Sequence, residues 1–521
     1  MEIRMTSMIR AALTINKIYR CKVICIFIGF LPILCVAEDL KKNTRIKEKE
    51  YYLSPYISVK QEFTNNARLD ESNVNGNLTQ ISPGIRWISN TGLIKGFVDY
   101  SLDATVDSEG KRHAYISNRL NAKAVAEVIE QFAFIDISGS MSTQPISAFG
   151  QPVVDSRLNN NSTEVKDFKI SPYLMGHFEN NFDYEARYSI RNIQSGSKII
   201  GDSKIQKIKL NLESPDIGKY LKWSALASYE DSDFKLRRNI STTTFRGALI
   251  YGVTSQIEIS LIAGVESTDQ ISINQESHSI SGFGGQWHPS QQTKFSIFGE
   301  KRYFGNAHNI AFEHSTRKTV WRYTDIKGIS DGSNNVSATS GRIFDLLDGF
   351  YTQIEADPVQ RTQLVLAEIE RLGLTSETQV FKDFFRSENT LQRSQNLSLI
   401  FLGQRSTLTL SAFRLSNKKL LGSINLTGDF EKNEEIRQKG LSFLLSHRLS
   451  PNTSFFTNLN KQQNIGTFPG LKNQLLSLKF GINENLSRRT NLGFQLNRSL
   501  IKNEKSRYGE TSLIGIITHR F

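Results

Sequence analysis

The chain reads as an all-β protein: a large transmembrane antiparallel β-barrel of about 22 strands (range roughly 18 to 24), with one helical loop insertion. Three observations predict this. From Tyr51 to Phe521, apolar and polar residues alternate with period two in segments of about ten residues. The polar phase carries full charges in segment after segment, which a water-filled lumen tolerates. The chain also ends on a strand whose last residue, Phe521, is aromatic.

The N-terminus comes first. Arg4, Arg10, Lys17, Arg20 and Lys22 form a basic start, Val23 to Val36 an apolar run, and Cys35-Val36-Ala37 a small-x-small cleavage site. Residues 1–37 thus read as a signal peptide and 38–50 as a short periplasmic segment, with the barrel over 51–521. Initiation at Met5 or Met8 fits the same pattern. A lipoprotein signal at Cys35 is disfavoured because Leu34, just before it, is not small. Beyond this region no stretch reaches the roughly 18 to 20 apolar residues of a membrane helix, so any crossing must be a closed sheet. A first strand near Tyr51 leaves no room for the plug domain that precedes the barrel in siderophore-type transporters.

Cys21, Cys25 and Cys35 all lie in the signal, so the processed chain has no cysteine and no thiolate metal site or disulfide framework. The formal charge of +13 becomes +9 once residues 1–37, with five Lys/Arg and one Glu, are removed. That excess can attract anionic polymer or lipid phosphate. No basic tract argues for nucleic acid.

Along the barrel, Val98, Tyr100, Leu102, Ala104 and Val106 alternate with Asp99, Ser101, Asp103, Thr105 and Asp107. Phe182 to Ile190 alternate likewise with Asp183, Glu185, Arg187, Ser189 and Arg191. Inward phases therefore offer Arg187, Arg191, Lys222, Lys294, Arg302 and Lys479 to anionic groups, with Asp99, Asp103, Asp107, Asp183 and Glu185 offsetting the field. Trp87, Tyr100, Trp223, Trp287 and Trp321 are candidates for interfacial girdles, and the parity of Trp87 and Trp223 assigns both to the lipid side. On the last strand Thr511, Leu513, Gly515, Ile517, His519 and Phe521 share one face. Leu513, Ile517, His519 and Phe521 resemble the signal read by the barrel-assembly machinery, from which Gly515 and His519 depart by not being apolar.

Tight turns are expected at Asn90-Thr91, around Pro289 to Gln292, at Ser450-Pro451-Asn452 and at Ser487-Arg488-Arg489, with Thr293, Thr453 and Thr490 opening the next strands. The longer links 145–162 and 417–434 belong outside the cell. Alternation stops in an insertion over 331–378. There Asp357-Pro358 opens a helix over 358–372, ended by Gly373, whose apolar set is Val359, Leu364, Leu366, Ile369 and Leu372. Two readings stand: a surface loop packed on a rim, or a constriction inside the pore.

The eight histidines are scattered, and no Gly-x-Ser-x-Gly elbow, paired-His helix or Walker loop occurs. No catalytic residue, cofactor or metal ligand is assigned. His308 and His314 share parity on one strand and read as lumen-lining residues in preference to a metal pair.

A family resemblance lies mostly in the first 330 residues, and with it spans nearly all of the processed chain. It rests on Ile81-Ser82-Pro83-Gly84-Ile85, Gly96-Phe97-Val98-Asp99-Tyr100-Ser101-Leu102, Leu120-Asn121-Ala122 and Gln144-Pro145-Ile146-Ser147-Ala148-Phe149-Gly150. Asn159-Asn160-Asn161, Ile170-Ser171-Pro172-Tyr173-Leu174, Glu300-Lys301-Arg302-Tyr303-Phe304-Gly305 and Thr319-Val320-Trp321 continue the order. The chain resembles the PEP-CTERM system-associated outer membrane protein family, found beside exosortase and exopolysaccharide genes. The resemblance implies a location and a genetic context, and carries no functional residues over.

The expected partners are outer-membrane lipid and lipopolysaccharide, the barrel-assembly machinery and, through the resemblance, exopolysaccharide and its export proteins. The leading expectation is a non-enzymatic pore. Its rivals are a closed scaffold, which a lumen filled by the insertion would favour, and a hydrolase or lipid-modifying enzyme, which needs a His–acid pair at one rim.

Overall fold

A sheet can leave one face to hydrocarbon only if each backbone N–H and C=O finds a partner within it. This chain meets that demand with 22 strands in one sheet closed by pairing of the first with the last. The structure, a computed structural model, describes residues 51–521 apart from 108–114, 154–158, 179–180, 198–200, 215–219, 331–342, 353–354, 356, 372–383, 387–388, 421–427 and 505. The expected signal peptide and the segment 38–50 lie outside the described residues.

The strands are β1 (Tyr51–Thr64), β2 (Gly76–Asn90), β3 (Ile94–Asp107), β4 (Tyr115–Ile129), β5 (Ala133–Pro145), β6 (Ser162–Phe178), β7 (Phe182–Ser195) and β8 (Ser203–Glu213). Next come β9 (Leu221–Phe234), β10 (Ile240–Thr254), β11 (Ile257–Thr268), β12 (Glu276–Ser290), β13 (Thr293–Arg302), β14 (Gly305–Ser315) and β15 (Thr319–Ser330). After the helices α1 (Ile343–Tyr351) and α2 (Pro358–Arg371) follow β16 (Thr390–Leu402), β17 (Ser406–Lys419) and β18 (Glu435–Arg448). The barrel ends with β19 (Thr453–Gly466), β20 (Lys472–Asn485), β21 (Thr490–Asn503) and β22 (Arg507–Arg520).

Every pairing is antiparallel between chain neighbours, and the register Tyr56↔Arg520 to Thr64↔Ser512 closes the seam. Because pairing keeps one parity on each face, the phase can be followed around the whole barrel. Ile57, Tyr100, Leu210, Phe245, Leu261, Phe283, Leu397, Leu441, Phe480, Phe494 and Leu513 fall on the outward phase, and most of them are exposed. Inward residues such as Ser101, Asp103, Glu266, Gln392, Asn458 and Ser512 are buried.

Both termini of the barrel lie at one rim, together with short turns such as 91–93, 255–256, 291–292 and 403–405. This is the periplasmic rim of such barrels. All four tryptophans sit near it on the outward phase: Trp87 late in β2, Trp223 early in β9, Trp287 late in β12 and Trp321 early in β15. The links 146–161, 331–389 and 420–434 lie at the opposite, extracellular rim, as expected for the long loops.

The Ser or Thr three residues before such a threonine has a specific role. In Ser450-x-x-Thr453 and Ser487-x-x-Thr490 the first hydroxyl accepts the N–H of the fourth residue (2.9 and 3.0 Å), as does Thr316 from Thr319 (3.0 Å). The Ser/Thr side chain thereby satisfies a turn amide that has no ladder partner.

Leu261 is 70% exposed on the lipid phase of β11. Leu261→Arg is expected to cost about 2–4 kcal/mol of folding free energy in lipid, measured by urea titration in vesicles; a cost near zero would mean that this face does not meet hydrocarbon.

Candidate functional site

The inward phase divides into two walls. On β3–β13 it is charged, and many of its charges are paired. Asp99 accepts from Arg86 (3.1 Å) and the Tyr56 hydroxyl (3.1 Å), and Asp103 pairs with Arg119 (2.7 Å). Arg187 reaches Glu185 (2.9 Å) and Asp136, and Arg191 donates to Asp167 (2.8 Å). Lys207 pairs with Glu230 (2.8 Å), Lys222 with Glu258 (3.2 Å) and Arg246 with Glu300; Arg302 contacts both Glu266 and Glu300. Asp183 meets His177 at the periplasmic rim.

The other predicted charges also fall on the inward phase. Asp107 lies at the extracellular end of β3, Lys294 is cross-strand from Glu313, and Lys479 lies between Asn458 and Asn497. The arrangement therefore differs from an open basic strip. Most predicted cations already hold a carboxylate, so the wall offers alternating donors and acceptors in place of a net anion-attracting field.

On β16–β22 the inward phase is mostly uncharged: Gln392, Ser394, Thr409, Ser411, Gln438, Ser442, Asn458, Gln462, Asn464, Asn483, Gln495 and Asn497 are all buried. Gln392 donates to Asn417 (3.0 Å), while Asn464 and Asn473 donate to the Ala148 and Gly150 carbonyls (2.6 and 3.3 Å). The segment 148–150 thus rests on the amide wall. Sequence reading missed this wall, although its signal, Asn/Gln/Ser at every second position from β16 onward, was present.

The insertion settles the choice between its two readings. It leaves β15 at the extracellular rim, yet Ile343, Phe344, Leu347, Val365, Leu366 and Ile369 pack with Ile88, Phe97, Leu444 and Phe456. Those four are inward-facing and near the periplasmic ends of β2, β3, β18 and β19. Phe350 similarly packs with inward Val320 and Ile400. The helical pair is a stopper seated deep in the lumen.

The link between β15 and β16 runs over 331–389, wider than the expected 331–378, since β16 begins at Thr390. Helix α2 starts at Pro358 as predicted, with the Asp357 carboxylate accepting the Gln360 N–H (2.9 Å), but a second helix, α1, precedes it. Leu366 and Ile369 of the predicted apolar set are buried, whereas Leu364 is exposed; the Val359 side chain and Leu372 lie outside the described residues. An Arg361–Asp348 ion pair (3.0 Å) ties the helices together. Glycines make room: a Cβ at Gly349 would meet Arg322 Nη1 at 2.7 Å, and one at Gly481 would meet the Phe456 ring at 2.4 Å.

In the extracellular half of the lumen, a cavity of about 640 Å³ lies between β8 and β15, within the size of small-ligand clefts. Lys207, Glu230, Arg246, Glu300, Arg302, Phe298, Tyr303 and Phe304 line it. Tyr303, in the β13–β14 turn, bonds Gln270, and burial followed by the Glu266 charge pushes its phenol well above the ordinary value.

His308 and His314 are not in the lumen. Ala307, Asn309, Ala311 and Glu313 take the inward phase of β14, and the histidines point outward. His308 Nε2 contacts Asp325 Oδ1 (3.0 Å), which also holds Arg393 and Gln395. His314, His447 and His519 each bond a cross-strand hydroxyl at the periplasmic rim: Thr293 (2.8 Å), Ser406 (2.7 Å) and Thr490 (2.9 Å). The same pair repeated around one rim is the pattern of a girdle. Among the described residues, no group of three or more His, Cys, Asp or Glu is placed to hold a metal ion. The predicted terminal set, Leu513, Ile517, His519 and Phe521, lies on the lipid side.

These features define a closed membrane-spanning β-barrel of the outer-membrane type with an internal stopper. No protein-family model and no curated protein matches the sequence. Among solved structures the chain is similar to the siderophore receptor PirA from Acinetobacter baumannii, with 7% identity, 92% of this chain and 81% of that chain covered, and a TM-score of 0.46. It is also similar to a BenF-like porin from Pseudomonas fluorescens, with 8% identity, 90% and 99% covered, and a TM-score of 0.35.

Phe344→Ala removes a fully buried ring from the stopper's seat and is expected to loosen it by about 3–5 kcal/mol. Hydrogen exchange over residues 343–371 should accelerate while the barrel strands keep their protection.

Proposed function

We propose that this chain is a non-enzymatic outer-membrane barrel serving an exopolysaccharide system of the PEP-CTERM/exosortase kind, as a pore or export component whose lumen is held shut by its own insertion. One observation carries the reading: a polar lumen is stoppered near its periplasmic end by an apolar helical pair. The paired charges and the amide wall offer many hydrogen-bonding groups and little net field, which suits a hydroxyl-rich polymer better than a small ion. The aromatic rings at Phe298, Tyr303 and Phe304 beside the cavity add faces on which sugar rings stack. Order and spacing of the family-like motifs support the genetic context, and the N-terminal pattern supports export through a cleaved signal.

A second reading, a closed scaffold that binds surface polymer or a periplasmic partner without passage, is favoured by the depth of the hydrophobic seat, since burying each such side chain contributes roughly 1.5–3 kcal/mol. Conductance separates the two. In planar bilayers the wild type is expected to be closed with rare openings, and replacement of residues 343–371 by a short Gly/Ser linker to give a steady conductance. Equal conductance in the two proteins would remove the stopper from the account. Unchanged surface polysaccharide after deletion of the gene would remove the polymer.

A further inference from the structure

The outward face of β17–β19 changes character before the strands end. From the periplasmic rim, the outward ladder of β18 runs His447, Leu445, Phe443, Leu441, and then Lys439 and Arg437. With about 3.3 Å per residue and a tilt near 40°, Lys439 stands roughly 20 Å above His447, close to where an apolar belt about 25 Å tall ends. Arg414 on β17 is directly cross-strand from Lys439, and Lys461 on β19 is cross-strand from Leu441, one step diagonal from Lys439.

Cross-strand side chains on one face have Cβ atoms about 4.5–5.5 Å apart and diagonal ones about 7–8 Å, and like charges so placed are destabilising. Yet Arg414, Arg437, Lys439 and Lys461 are all exposed, and none has an ion pair among the described residues. Of the other outward cations at this level, Arg393 is neutralised by Asp325 (2.7 Å) and Lys166 by Glu164 (3.3 Å), while Arg498 donates to the Thr511 hydroxyl and Lys327 stands cross-strand from Arg393. The acid on this face of β18, Glu435, accepts from Ser416 (2.6 Å). Exposed Leu441 and Leu476 flank Lys461 on either side, and with Leu459 below they form an apolar slope.

We propose that Arg414, Arg437, Lys439 and Lys461 form a binding site for the phosphate groups of a phosphorylated outer-leaflet glycolipid of the lipid A type. Its phosphates replace the missing acid between the cross-strand cations, with arginine supplying planar donors suited to phosphate oxygens. Its acyl chains run down the Leu441–Leu459–Leu476 slope. The site is separate from the lumen and independent of what the lumen carries.

The test uses the full barrel folded in zwitterionic detergent and titrated with fluorescent bis-phosphorylated lipid A. The variant Arg414→Gln/Lys439→Gln/Lys461→Gln is expected to bind at least about tenfold more weakly, while Lys479→Gln in the lumen leaves binding unchanged. Heat-dependent gel mobility verifies that each protein is folded. If the triple variant fails that check, the single variant Lys439→Gln decides, with a weakening of about threefold expected. Unaltered affinity in the folded variant, or equal binding of dephosphorylated lipid A, overturns the proposal. Full competition by millimolar inorganic phosphate overturns the lipid as the occupant and leaves a plain anion site.

Discussion

The seam between β1 and β22 is the constraint from which the rest descends. In hydrocarbon an unpaired row of amides and carbonyls has no water to turn to, so an open 22-stranded sheet would expose two such rows. Pairing from Tyr56↔Arg520 to Thr64↔Ser512 removes both, and it is extended by the Phe521 N–H donating to Pro55 O (3.0 Å) and the Asn65 N–H to Thr511 O (3.2 Å). Closure also fixes parity. Once the seam is in register, no strand can slip by one residue without turning its charges to lipid and its leucines to water.

Parity in turn explains where the stopper sits. The inward phase is polar over most of its length, with only small apolar patches such as Val165 with Ile193 and the surroundings of Ile436. Near the periplasmic rim the inward phase changes: Ile88, Phe97, Val320, Ile400, Leu444 and Phe456 replace the expected polar residues. These exceptions to alternation mark a seat, and Gly481 is small because the Phe456 ring occupies the space its side chain would need.

Much of this architecture is legible in the residues themselves. Period-two alternation carries the number of strands and the facing of Asp99, Arg187 or Lys479, since each is read one strand at a time. Pairing between strands is another matter. That Arg302 holds Glu266 and Arg187 holds Asp136 depends on register across separate strands, which single-strand parity does not encode. Likewise, Asp357-Pro358 marks a helix start by local capping chemistry, but the destination of that helix depends on inward apolar residues on other, distant strands. His308 and His314 were misassigned to the lumen because their strand also offers Ala307, Asn309 and Ala311, and small or neutral residues leave the two phases hard to tell apart.

The attachment of the stopper has a mechanical corollary. Both ends of the 331–389 segment are anchored at the extracellular rim, although its helices rest at the far end of the cylinder. Such a piece resembles a cork on a string tied outside the bottle: it can leave outward without tearing its anchors, while anything pushing inward from the medium drives it harder onto its seat. For the export role proposed above, this anchoring favours passage in one sense, from the cell to its surroundings.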